Sequence, residues 1–83
     1  MSNVMVLNAC GFTTQWTLLY QDQSINLDIE NAPDFLAHFA ASHGVEQIKI
    51  AGAARSYGEE VAKAITAVAN TVYNYKNLEV EVL

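Results

Sequence analysis

Three short stretches of this chain alternate apolar and polar residues with a period of two, and in each only one of the two rows is apolar. Ile25, Leu27 and Ile29 alternate with Asn26, Asp28 and Glu30; Ile48 and Ile50 with Gln47 and Lys49; Leu78, Val80 and Val82 with Glu79 and Glu81. Successive side chains of a strand point to opposite faces, so each of these strands has one dry side and one wet side. A sheet covered by helices on both faces would carry near-continuous apolar strands instead. The pattern predicts a two-layer protein, with helices on one face of a sheet and water on the other. The chain has 83 residues, enough for one domain spanning residues 1–83. At 52% hydrophobic it can fill a core.

The remaining segments complete the order. Residues 4–10 form an apolar run of strand length that ends at Gly11, and residues 14–20 are rich in β-branched and aromatic side chains, with Trp16, Leu18 and Tyr20 on one side. The polar tetrad Gln21-Asp22-Gln23-Ser24 turns this strand into the next. The period then changes. Asn31-Ala32-Pro33-Asp34 reads as a helix start with a capping Asn, a Pro in the first turn and an acid at the positive end of the dipole. Phe35, Leu36, Phe39 and Ala40 share one face, and Gly44 suits the left-handed stop. Residues 45–51 return to a strand. Ser56-Tyr57-Gly58-Glu59 has the pattern of a capping box and opens a long helix with the stripe Val61, Ile65, Val68, Ala69 and Val72. On the polar side Glu59 and Lys63 stand four apart, a favourable pair. Residues 74–77 break the pattern ahead of the last strand.

The order is βββαβαβ, an α/β (α+β) arrangement. Short right-handed connections favour a mixed five-stranded sheet in the order 3-2-1-4-5 with strand 2 antiparallel to the rest. Both crossovers move in the same direction, which puts both helices on one face. Lys49 then stands beside Glu79 and Glu81. Strands 1 and 2 lack a polar row, so the open face receives either the valines or Met5 and Leu7 from strand 1, and either the Trp16 row or Leu19 from strand 2. Met5, Leu7, Trp16 and Leu19 are the candidate interface residues. An apolar strip on a charged surface marks a contact with another chain, and a protein partner or a homodimer through this face is the expected role.

Charge narrows the alternatives. Nine Asp and Glu against four Lys and Arg give a net charge of −5, which repels phosphate backbones and anionic lipid, so neither nucleic acid nor a membrane is an expected partner. Cys10 is the only cysteine, so no intrachain disulfide and no Cys-based zinc site forms. There is no apolar run of about 20 residues and no basic leader, and a cytoplasmic location is the expectation.

In its element order the chain resembles the core of the RNase H-like superfamily, including the small Holliday-junction-resolvase-like members and the halves of the actin-like proteins. The resemblance spans nearly the whole chain and rests on topology. It implies acids on the first strand, first helix and fourth strand that hold divalent metal. This sequence departs from that pattern. Asn8 stands where the first-strand acid belongs, and the fourth strand ends Ile50-Ala51-Gly52. Two-metal chemistry needs clustered carboxylates, so the nuclease activity does not carry over. The segment Asn8-Ala9-Cys10-Gly11-Phe12-Thr13-Thr14 resembles the Asp-x-Gly-Thr loop of the actin-like halves only loosely, because the acid is missing and the Gly is displaced.

The sequence offers no complete catalytic set, and no cofactor or metal is expected. The alternative to an interaction module is a small anion- or nucleotide-binding module at the switch point between strands 1 and 4, where open α/β sheets bind ligands. Its residues are Asn8, Gly52, Arg55, Ser56 and Tyr57, with the free N–H groups of a helix start available to phosphate or carboxylate. An ordinary strand-to-helix turn with Ser56 as N-cap accounts for the same residues. Cys10 at a strand end fits a small buried hydrophobe. His38 and His43, five apart on a helix, point about 140° away from each other and make no metal pair.

Overall fold

The computed structural model describes residues 3–9 and 14–83. Its elements are β1 (Val4–Asn8), β2 (Gln15–Tyr20), β3 (Gln23–Asp28), α1 (Ala32–His43), β4 (Gln47–Ala51), α2 (Arg55–Thr71) and β5 (Glu79–Val82). They form one sheet in the order β3-β2-β1-β4-β5. β2 runs antiparallel to β1 and β3, and β1, β4 and β5 are parallel. The expected architecture and strand order are those observed. Cys10, Gly11, Phe12 and Thr13 lie outside the described residues.

One apolar row crosses all five strands. The registers place Ile25 beside Leu18, Leu18 beside Leu7, Leu7 beside Ile50 and Ile50 beside Val82. A second row runs Met5, Ile48, Val80. Leu36, Phe39 and Ala40 of α1 and Val61 and Ile65 of α2 pack with these rows in one core, so both helices cover the same face. Burying each large aliphatic side chain contributes about 1.5–3 kcal/mol.

Local chemistry explains the helix ends, with two corrections. Pro33 sits in the first turn of α1, and Gly44 closes it at φ 64° with its N–H on the Ala40 carbonyl. That left-handed residue is cheap only for glycine or asparagine. Asn31 does occupy the N-cap position, but its side chain makes no capping bond. Its backbone N–H reaches back to the Asp28 carbonyl at 3.1 Å, so the chain turns straight from β3 into the helix. In α2 the N-cap is Ala54, not Ser56, and Ser56 lies inside the first turn. Starting the helix earlier sets Gly58 against β5, where an added Cβ would meet Val82 Cγ1 at 2.6 Å. The acid of the expected capping box, Glu59, pairs instead with Arg55 at 3.4 Å.

The segment after α2 is pinned to the rest of the molecule. Asn74 takes φ 51°, a left-handed conformation that asparagine tolerates. The Tyr75 hydroxyl donates to the Val45 carbonyl at 2.6 Å, and the Tyr73 hydroxyl donates to Asp34 Oδ1 at 3.1 Å. Burial, and after it the Glu46 carboxylate, push the Tyr75 phenol above its usual range; at Tyr73 burial comes first, then the bond to Asp34 and its charge. A phenol whose pKa is raised on folding favours the neutral form in the fold. Its contribution is whole below about pH 10 and is lost as pH climbs through the raised value. Tyr75→Phe leaves the Val45 carbonyl without its donor and should cost about 1–2 kcal/mol at neutral pH. In urea titrations at pH 8 and pH 11, the gap between wild type and variant should narrow at the higher pH.

Candidate functional site

The uncovered face of the sheet is where the sequence left its choices open, and the registers settle them. β2 buries Trp16, Leu18 and Tyr20 and turns Gln15, Thr17 and Leu19 outward. β1 buries Met5 and Leu7, and Val4, Val6 and Asn8 form the outward row. Three of the four candidate interface residues are therefore corrected: Met5 and Leu7 are 0% exposed and Trp16 is 3% exposed, all on the helix side. The reason is volume and polarity together. Asn8 shares a row with Val4 and Val6, and Gln15 and Thr17 share one with Leu19, so the rows holding a polar residue face water. The rows without one fill the core. Leu19 is the candidate that stays on the open face, 44% exposed.

The face can be laid out by register. Val6 lies between Leu19 on β2 and Lys49 on β4. Val4 lies beside Gln47, and Asn8 between Thr17 and Ala51. An apolar strip of Val4, Val6 and Leu19 thus runs through the middle. Ser24, Asn26 and Asp28 border it on β3, and Gln47, Lys49, Glu79 and Glu81 border it on β4 and β5. Thr17 Oγ1 donates to Asn26 Oδ1 at 3.3 Å, and Gln47 Nε2 donates to Glu81 Oε2 at 3.1 Å. Lys49 stands level with Glu81, and the carboxylate takes its hydrogen bond from the diagonal Gln47. Val4 and Val6 are the members of the strip that sequence reasoning left undecided.

At the switch point the structure joins some of the expected residues and separates others. Gly52 takes φ 76°, and a Cβ there would collide with Asn8 Oδ1. The Ala9 N–H donates to the Ala51 carbonyl at 2.9 Å, which holds the ends of β1 and β4 together. Arg55 is exposed and leans along its own helix toward Glu59. Ser56 is exposed as well, whereas Tyr57 is half-buried and meets Trp16 edge-on at 6.1 Å. Trp16 Nε1 is buried with no hydrogen-bond partner among the described residues. Asn8 and Gly52 thus pack closely where β1 and β4 end side by side, and the arginine, serine and tyrosine do not converge on one point.

Comparison with family models, curated proteins and solved structures finds no match to this chain.

Elsewhere the two histidines pack against aromatic rings. His43 stacks on Phe39 at 4.0 Å, and its Nδ1 lies 3.0 Å from the Phe39 carbonyl. That places a basic ring at the negative end of α1. His38 lies against Tyr73, ring centres 5.3 Å apart. Among the described residues no group of three or more His, Cys, Asp or Glu is placed to hold a metal ion, and no helix is long and apolar enough to cross a membrane.

Proposed function

We propose that this chain is a non-enzymatic interaction module that associates with a second copy of itself through the open face of its sheet. The observation that carries the reading is the strip Val4, Val6 and Leu19 on an uncovered sheet, with Leu19 44% exposed beside Val6. Isolated surface leucines are ordinary; a row of apolar side chains spanning neighbouring strands gains by excluding water. Lys49 and the acids Asp28, Glu79 and Glu81 surround the strip, so Lys49 of each copy has carboxylates of the other to pair with, while the surplus of acid keeps the association weak, most of all at low salt.

Size sets the strength. Five strands about 4.8 Å apart and about five residues long span roughly 24 Å by 17 Å. That is below the area of about 800 Å² per partner buried in a standard interface, so the association belongs to the weak, micromolar class. Light scattering across a concentration series should show the mass rise from 9.1 kDa toward about twice that value as the concentration passes from about 10 μM to about 1 mM. Leu19→Lys should hold the protein at the monomer mass without lowering its melting temperature. A wild type that stays monomeric at the top of that range overturns the proposal.

A further inference from the structure

The two borders of the sheet are built differently. β5 is four residues long and carries Glu79 and Glu81. β3 is six residues long, contains no proline or lysine, and among the described residues has β2 as its only strand neighbour. Natural edge strands are usually shortened, charged with lysine, or interrupted to prevent pairing with another chain. β3 carries none of these protections apart from Asp28 at its end.

Its hydrogen-bonding groups are aimed outward in a definite pattern. The Ile29 N–H donates to the Thr14 carbonyl at 3.1 Å, so in the alternating antiparallel ladder Ile25 and Leu27 face β2 in the same way. The N–H groups of Ser24, Asn26 and Asp28 then point away from the sheet. A groove of about 230 Å³ runs beside them, lined by Ile25, Asn26, Leu27, Asp28, Asn31 and Phe35. Consecutive strand residues point to opposite faces, so a hollow touched by four in a row lies along the border of the strand itself. Phe35 of α1, 38% exposed, closes the helix side.

We infer that β3 and the start of α1 form a receptor for an extended peptide segment of another protein, one that alternates apolar and basic residues and adds as a sixth strand. Strand addition supplies main-chain hydrogen bonds, and pockets for alternate side chains supply selectivity. Here the two faces differ. Toward the helices the incoming side chains meet Phe35, which stacks on Phe39 at 6.0 Å, and the half-buried Ile25. Toward the open face they meet Asn26 and the exposed Asp28 carboxylate. Glu30 lies just beyond, in an adjoining hollow that shares Asp28. Charge selects the occupant. The four Lys and Arg of this chain are Lys49, Arg55, Lys63 and Lys76, none of them on β2, β3 or α1. The β3 of a second copy would therefore bring no cation to Asp28. A foreign basic strand would. The edge shares Asn26 and Asp28 with the border of the open-face strip, but it pairs through the outward backbone of β3 and not through Val4, Val6 and Leu19, so either proposal can fail without the other.

The test uses the intact protein and an acetylated, amidated Lys-Val-Lys-Val-Lys-Val-Lys peptide. Amide shifts should centre on Ser24, Asn26, Asp28 and Phe35. Hydrogen exchange at the three outward amides should slow by about tenfold or more when most sites are filled. Asn26→Pro removes one outward donor at a position where an edge strand accepts proline, and should abolish binding while Leu19→Lys leaves it unchanged. Should Asn26→Pro not fold, Asp28→Lys serves in its place. It should weaken the lysine peptide and favour the same peptide with glutamate in place of lysine. Three outcomes would overturn the inference: no shifts up to about 1 mM peptide, shifts centred on Glu79 and Glu81 instead, or an Asp28→Lys protein with unchanged preference. Slowed exchange at the Ser24, Asn26 and Asp28 amides as the concentration of the Leu19→Lys protein rises without peptide would also overturn it, by giving the edge to a second copy.

Discussion

Leu7→Ala should lower the unfolding free energy by about 2–5 kcal/mol, the usual cost of emptying a fully buried aliphatic site. Leu7 is 0% exposed on the central strand, between Leu18 and Ile50, which are also 0% exposed. With neighbours on both sides and helices above, the cavity has little room to collapse. A domain of this length holds about 4–12 kcal/mol in total, so the loss is a large fraction of its stability. Val6→Ala, one residue away on the opposite face, should cost under about 1 kcal/mol. Urea midpoints of the two variants, at unchanged slope, would show the contrast directly. If the valine variant proved the more damaging, the assigned facing of β1 would be wrong, and the proposed interface with it.

The second large effect is expected at Gly52. Its φ of 76° is unfavourable for any side chain, and a Cβ would press on Asn8 Oδ1. Gly52→Ala should therefore cost about 2 kcal/mol, from the left-handed backbone and the displaced asparagine together. The two causes separate in a double-mutant cycle. Asn8→Ala removes the collision but not the backbone cost, so in the Asn8→Ala background the same glycine change should be cheaper by about 0.5 kcal/mol or more. Thermal unfolding of the four proteins measures this. Additive effects would mean that Asn8 swings aside freely and that the turn is held by its backbone alone.

The elements differ in how plainly their residues announce them. β3, β4 and β5 each carry one polar row, and that row fixes which side is wet before any packing is known. The change from period two to the α1 pattern at Asn31 and the stop at Gly44 are equally clear, because proline and glycine act on the local backbone. β1 was not legible in the same way. Val4 and Val6 are as apolar as Met5 and Leu7, and only Asn8 breaks the tie, at the end of the strand where polarity is also expected of a loop. β2 offered more, since Gln15 and Thr17 share a row with Leu19. The start of α2 misled for another reason. Ser56 and Glu59 have the spacing of a capping box, but the chain leaves β4 through the left-handed Gly52 and enters the helix at Arg55, a path set by tertiary contacts with Asn8 and Val82. At the candidate site the members were readable and their facing was not. The groove along β3 depends on which strand ends up at the border, a property of the assembled sheet that the residues of β3 do not express.

The parallel course of β1, β4 and β5 also has a mechanical side. Val4 begins β1 at one end of the sheet and Val82 finishes β5 at the other. Tension applied between these two points drags the three strands lengthwise past one another, loading the bonds of each ladder together instead of peeling them one by one. A small domain with an ordinary equilibrium stability would in this direction resist being pulled apart, since rupture under load follows the height of the barrier rather than the depth of the well.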